Sequence, residues 1–190
     1  MSDYIELEYK YRADNVKLTD FIELIKSLNP SKRMNTSSWD LYFTTKSLDA
    51  FQRFRHSETP ELTKKVKTQN GNNWKRIEVD LPLDPERVTE DIITKYLELD
   101  DYHFNFKIYK TCTIFWLEDV NYVFYITYDH NMNENGRFIE VEINKNKVKT
   151  MEDPIEILNK AEKELNKIGI TFQNRLKKSL FEMFVKSIDK

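Results

Sequence analysis

Cysteine, glycine and proline are scarce in this chain of 190 residues: one, three and five. A single cysteine, Cys112, excludes an intrachain disulfide and cannot furnish the thiolate set of a structural zinc site. Three glycines cannot build a glycine-rich phosphate loop, and no G-x-x-x-x-G-K-[ST] run occurs, so any phosphate recognition must come from side chains. Nothing approaches the run of about 18 apolar residues that a membrane-spanning helix needs. The N-terminal stretch has no basic segment followed by an apolar one. Together these predict a soluble, cytoplasmic protein with no membrane partner. Net charge is also small: 30 Lys and Arg face 32 Asp and Glu, leaving −2. No global field draws in duplex nucleic acid, although a local basic channel remains compatible with the balance. An apolar fraction of 39% and an aromatic fraction of 13% are enough for a real core, so residues 1–190 are expected to form a single domain.

What the chain has in abundance is alternation. Residues 4–12 read Tyr-Ile-Glu-Leu-Glu-Tyr-Lys-Tyr-Arg, which places Ile5, Leu7, Tyr9 and Tyr11 on one face of a strand and Glu6, Glu8, Lys10 and Arg12 on the other. The same i, i+2 pairing of charges returns at Arg53 and Arg55, Lys65 and Lys67, Arg76 and Glu78, and Glu140 and Glu142. Carboxylates fall on the terminal strands and cations on the middle ones. Solubility alone does not ask for that sorting; a polyanion and its metal ions would.

The remaining pattern predicts strands near 37–45, 50–57, 61–68, 73–80, 103–117, 120–129 and 136–144. The connection after residue 68 carries an Asn-Gly turn signal. Helices are expected over about 16–28, capped by Asp14 or Asn15, and over about 84–99, opened by Asp84-Pro85-Glu86. Two more are expected in residues 151–189, one bearing Ile155, Leu158, Ala161 and Leu165 and one bearing Leu176, Leu180, Phe184 and Ile188. About eight strands with interspersed helices make an α+β domain. Its polar sheet face can look outward, as in a sandwich, or line a barrel whose apolar outside is covered by the amphipathic helices.

Carboxylates crowded on neighbouring strands repel, and a hard divalent cation relieves the repulsion. Glu6, Glu8, Glu140 and Glu142 suit Mg²⁺ or Mn²⁺ if the first and last strands meet. Arginine forks and lysine ammonium groups from several strands suit an extended triphosphate.

These residues resemble the CYTH superfamily of triphosphate tunnel metalloenzymes. Its E-x-E-x-K signature stands as Glu6-Leu7-Glu8-Tyr9-Lys10, and its D-x-Y-F-D-T strand is matched by Asp40-Leu41-Tyr42-Phe43-Thr44-Thr45. Its R-x-R is Arg53-Phe54-Arg55, its L-T-x-K is Leu62-Thr63-Lys64-Lys65, and its R-x-E is Arg76-Ile77-Glu78. Its late Asp and G-x-F-x-E-x-E run correspond to Asp129 and Gly136-Arg137-Phe138-Ile139-Glu140-Val141-Glu142. Charged alternation alone is a weak signal; these elements in this order across residues 6–142 are a strong one.

The resemblance implies an eight-stranded antiparallel closed β-barrel with a charged interior, its strands within about 4–145 and covered by helices. It implies a metal-dependent triphosphatase acting on inorganic, thiamine or nucleoside triphosphate, as a monomer or homodimer. Lys10, Arg53, Arg55, Lys65, Lys67, Arg76 and Lys110 would hold the triphosphate. Glu6, Glu8, Glu140 and Glu142 would hold Mg²⁺ or Mn²⁺. Glu6, Glu8, Lys10 and Asp129 would carry the chemistry, with Asp129 alternatively capping a turn. Thr44 stands where the family has a second acid, and Cys112 where it commonly has Arg, a contact Lys107 could supply. A class IV adenylyl cyclase uses the same grip, but Met1-Ser2-Asp3-Tyr4 lacks the His-Phe pair those cyclases often carry. A non-catalytic module for triphosphates or 5′-triphosphorylated RNA is the remaining alternative. Lys64 falls on the face opposite Lys65 by parity. Trp39, Trp74 and Trp116 are read as packing, and His56, His103 and His130 lack ligand spacing.

Overall fold

The computed structural model describes residues 3–5, 7–67, 74–78, 84–144 and 154–186. Within them lie nine strands: β1 (Asp3–Ile5), β2 (Glu8–Arg12), β3 (Lys32–Thr44), β4 (Ala50–His56), β5 (Glu61–Lys67), β6 (Trp74–Glu78), β7 (His103–Trp116), β8 (Val120–Tyr128) and β9 (Glu134–Ile143). Four α-helices accompany them: α1 (Leu18–Ser27), α2 (Glu90–Glu98), α3 (Pro154–Leu165) and α4 (Leu180–Phe184). No helix among the described residues is long and apolar enough to cross a membrane.

The sheet is antiparallel, with strand order β1-β6-β5-β4-β3-β7-β8-β9-β2. This corrects the expectation of a closed eight-stranded barrel. The first strand is divided: its residues 3–5 pair with β6, whereas residues 8–12 pair with β9. Its two parts therefore stand at opposite ends of the order, and no pairing among the described residues joins β1 to β2. Alternation could not reveal the division, because both parts keep the two-residue period.

The chain forms two compact units, with the boundary crossing β3 and β7. The first holds residues 1–5, 38–109 and 178–190. Its core joins Leu41, Phe43, Phe54 and Leu62 of the strands to Ile93 and Leu97 of α2. The apolar stripe of α2 thus covers one face of β3, β4 and β5. The helix starts later than expected. Pro85 opens only a 3₁₀ turn, and the side chain of Thr89 caps α2 by accepting from the Ile92 amide at 3.4 Å.

The second unit holds residues 6–37 and 110–177. Phe21 and Ile25 of α1 and Leu158, Ala161 and Leu165 of α3 are buried against Phe115, Phe124, Ile139 and Val141. The Phe21 ring lies 5.4 Å from that of Phe124. Neither Asp14 nor Asn15 caps α1; its N-cap is Lys17, without a side-chain bond. The Asp14 carboxylate instead accepts from the Arg12 Nε at 2.6 Å and the Arg137 amide at 3.0 Å. Arg12 lies over the Phe138 ring and occupies the space a Cβ at Gly136 would need. Gly136 has φ +151°, which calls for glycine, whereas the guanidinium end of Arg12 could shift aside for a methyl group. The stripe Leu176, Leu180, Phe184, Ile188 yields only the short α4; Val185 is already its C-cap, and Ile188 lies outside the described residues.

Candidate functional site

In the first unit, register places Asp40 opposite Arg55 and Tyr42 opposite Arg53 between β3 and β4. It places Arg55 opposite Glu61 and Arg53 opposite Thr63 between β4 and β5. Strand parity then gathers Asp40, Tyr42, Arg53, Arg55, Glu61, Thr63 and Lys65 on the face that α2 does not cover. Arg55 grips Asp40 as a fork, Nε to Oδ1 at 2.8 Å and Nη2 to Oδ2 at 3.0 Å, while the Ser38 hydroxyl donates to Asp40 Oδ1 at 3.2 Å. Asp40 is wholly buried.

Arg53 is held differently. Its Nη2 donates to Glu61 Oε1 at 2.7 Å and more weakly to Thr63 Oγ1 at 3.4 Å. Its Nε is buried without an acceptor among the described residues. A guanidinium has five N–H donors, so Arg53 retains capacity for an anion. Burial, and then the Asp40 charge, push the Tyr42 hydroxyl up to about 12, so it stays protonated at neutral pH.

An aromatic cluster occupies this unit as well. Tyr42 stacks on Phe106 at 4.5 Å and Phe51 on Phe181 of α4 at 4.1 Å. Lys65 pairs in register with Phe51 on one side and Arg76 on the other. The side chains of Lys67 and Arg76 lie outside the described residues, although their backbones sit in β5 and β6. Lys64 reaches over the Tyr102 ring at 5.7 Å, toward the α2 core, as parity requires. Lys107 contacts Glu90 at 3.7 Å and the Trp39 ring at 5.1 Å; these contacts tie it to α2 and do not suggest a substitute for the missing arginine.

In the second unit, the first and last strands do meet. Glu8 is opposite Glu142 and Lys10 opposite Glu140. Lys10 Nζ lies 2.9 Å from Glu140 Oε1 and 3.2 Å from Glu8 Oε1, and the Tyr125 hydroxyl donates to Glu140 Oε1 at 2.8 Å. Burial disfavours the Lys10 ammonium, but the Glu140 and Glu8 charges outweigh it and hold the pKa above its ordinary value. Burial likewise opposes ionisation of Glu140. The charge and hydrogen bond of Lys10, the charge of Lys110 and the Tyr125 hydroxyl hold that carboxyl well below the usual range. Lys110 Nζ lies 5.5 Å from the Tyr125 ring centre.

Glu6 lies outside the described residues. Asp129 is a turn anchor by its described contacts: Oδ1 accepts from the Asn131 and Asn133 amides, both at 2.8 Å, and Oδ2 from Asn133 Nδ2 at 3.1 Å. These bonds, those of Asn133 foremost, lower its pKa.

No family model and no curated protein matches the sequence. Solved structures do. A protein of Pyrococcus horikoshii OT3 superposes with a TM-score of 0.67 at 19% identity, over 96% of this chain and 100% of that one. A protein of Bacillus halodurans, provisionally named an adenylate cyclase, gives 0.64 at 14% identity over 98% and 100%. A similarly named protein of Vibrio parahaemolyticus gives 0.63 at 15% identity over 94% and 97%. The chain has the fold of these solved structures. At these identities the likeness concerns the fold alone.

Glu8 and Lys10 of the E-x-E-x-K element lie on β2 facing the E-x-E pair Glu140 and Glu142 of β9, and the R-x-R pair lies on β4. Sequence reasoning gave no role to Asp40, Glu61, Tyr125 or Asn121. Parity was the available signal for Glu61, which shares a face with Lys65. Asn121, opposite Glu142, has a buried Oδ1 without a donor among the described residues. Among the described residues no three His, Cys, Asp or Glu converge as a metal cluster. Two carboxylates with an amide oxygen nevertheless offer hard oxygen donors of the kind Mg²⁺ takes alongside waters and phosphate oxygens.

Proposed function

We propose that this protein is a divalent-metal-dependent hydrolase of triphosphate compounds. The observation that carries the reading is Arg53, a half-buried guanidinium whose buried Nε has no acceptor among the described residues, on a face that also presents Arg55 and Lys65. Positioned cations of this kind stabilise the charge of a transferring phosphoryl group, which needs positioning more than covalent chemistry. Arg53, Arg55 and Lys65, with Lys67 and Arg76 on the neighbouring strand positions, grip the phosphate oxygens. Glu8, Glu142 and the Asn121 amide, with Glu6 and Glu140, hold Mg²⁺ or Mn²⁺. When bound, the metal supplies positive charge to phosphate oxygens. Water adds to the terminal phosphorus as the P–O bond to the departing diphosphate breaks. The substrate is a small triphosphate, with inorganic tripolyphosphate the first to try.

The fold likeness to two proteins provisionally named adenylate cyclases favours a second reading. There the ATP 3′-hydroxyl attacks the α-phosphorus and pyrophosphate leaves. Incubation with Mg²⁺ or Mn²⁺ and tripolyphosphate, thiamine triphosphate, ATP or triphosphorylated RNA separates the possibilities. Orthophosphate release supports the hydrolase; cyclic AMP with pyrophosphate supports the cyclase. Tight binding without turnover on any substrate would mark a sequestering module. Arg53→Ala and Lys65→Ala should each lower kcat/KM by about 1.5–3 kcal/mol of transition-state stabilisation.

A further inference from the structure

Two arginines two residues apart on β4 have carboxylate partners of opposite character. Asp40, the partner of Arg55, is completely buried, is gripped through both oxygens and takes a further bond from Ser38. Glu61, the partner of Arg53, has 36% of its side chain exposed and holds Arg53 through one oxygen at 2.7 Å. That same oxygen accepts from the Thr63 hydroxyl.

The difference decides what each carboxylate can do. If Asp40 left Arg55 it would remain a buried charge with no water to receive it, a costly state. Glu61, with part of its side chain in water, can swing outward and rehydrate, so separating it from Arg53 costs less than separating Asp40 from Arg55. Its departure would free the Arg53 Nη2 and the Thr63 hydroxyl as donors beside the Arg53 Nε, itself without an acceptor among the described residues. A phosphate group offers several oxygens to receive them, in the forked geometry that guanidinium favours.

We propose that Glu61 is the resident counter-ion of Arg53, displaced when a polyphosphate binds, and that it sets the affinity of this face for polyanions. Asp40 is by contrast a permanent positioning residue for Arg55. This rests on the triphosphate reading above. Competition between Glu61 and substrate weakens binding at low substrate but keeps the half-buried guanidinium neutralised between turnovers.

Titration calorimetry with inorganic tripolyphosphate, in chelator and low salt so that no divalent cation contributes, tests the assignment. Glu61→Gln keeps the size and the Thr63 contact but removes the charge. It should tighten binding about two- to five-fold, the range of an exposed ion pair, and the gain should shrink as salt rises. Arg53→Ala should weaken binding at least about ten-fold, as loss of a charged hydrogen bond does. The double variant should bind like Arg53→Ala alone, because Glu61 acts through Arg53. If Glu61→Gln binds no more tightly than the wild type while Arg53→Ala is weak, the counter-ion role is wrong and the triphosphate reading stands. The counter-ion role is equally wrong if Glu61→Gln tightens binding as much in the Arg53→Ala background, since that is a general field effect. If wild type and variants bind no tripolyphosphate even with Mg²⁺ restored, the functional reading falls and this inference with it; binding that appears only with Mg²⁺ overturns the counter-ion role alone.

Discussion

The charged face of the first unit and the charged cluster of the second are built from the same alternation, yet they are satisfied in different ways. In the second, Lys10 sits between Glu8 and Glu140, with Tyr125 completing the second carboxylate. These contacts span 2.8–3.2 Å, and the charges of Lys10 and Glu140 shift each other's pKa toward the ionised form. In the first, Arg55 forks onto Asp40, while Arg53 has one weakly enclosed carboxylate and a buried donor without an acceptor among the described residues. An i, i+2 charge pair therefore does not announce its role. Burial and the count of satisfied donors separate a charge that holds the fold from one that remains available to a ligand.

The largest test of that contrast is Lys10→Met. It leaves Glu8 and Glu140 without their shared cation, and breaking this partly buried pair from one side should cost up to about 3 kcal/mol in chemical denaturation at pH 7. Mn²⁺ should recover part of the loss by replacing the missing positive charge. A variant as stable as the wild type would show that the cluster is not held by Lys10.

Asp40→Asn comes next, with an expected loss of about 2–3 kcal/mol from the weakened buried Arg55 fork. Glu61→Gln should change stability by less than about 1 kcal/mol. Equal losses would erase the distinction between permanent and displaceable partners.

Within the second unit, Gly136→Ala should destabilise by about 1–2 kcal/mol, because φ +151° disfavours a side chain and Arg12 fills its place. Adding Arg12→Ala should return the steric part and leave the backbone part, which the double variant's melting temperature would report.

A smaller effect is expected from acid. The folded pKa of Glu140 lies below its ordinary 4.5, so the folded state binds its proton less readily than the unfolded chain. Its contribution to stability is therefore full above about pH 4.5 and is lost as pH falls through the depressed value. Glu140→Gln should flatten this acid limb in a pH series of denaturation curves; an unchanged limb would sink the pairing. Smallest of all, Lys64→Ala should alter tripolyphosphate affinity negligibly and stability by within about 0.5 kcal/mol, since Lys64 reaches toward Tyr102 on the α2 side.

Much of this was legible in the chain before its folding was known. The two-residue period assigned Lys64 and Lys65 to opposite faces and set Glu8 beside Lys10, because side-chain direction along a strand follows from backbone geometry alone. The helical stripes of α1, α2 and α3 followed from their own period, whereas the meeting of the first and last strands stood only as a condition, since the closed barrel that would have required it is not formed among the described residues. Parity also put Glu61 among the cations, although no role was read from it. The division of the first strand between two partners was not legible, because pairing is a long-range choice that leaves the local period unchanged. Nor was the fate of Asp129, whose carboxylate is engaged by Asn131 and Asn133, since a turn and a ligand use the same oxygens. Which carboxylate is sealed in, as Asp40 is, and which keeps contact with water, as Glu61 does, depends on everything packed around it. Sequence decides which side of a strand a charge takes; only tertiary structure decides how much solvent remains there, and solvent sets whether an ion pair is permanent or exchangeable.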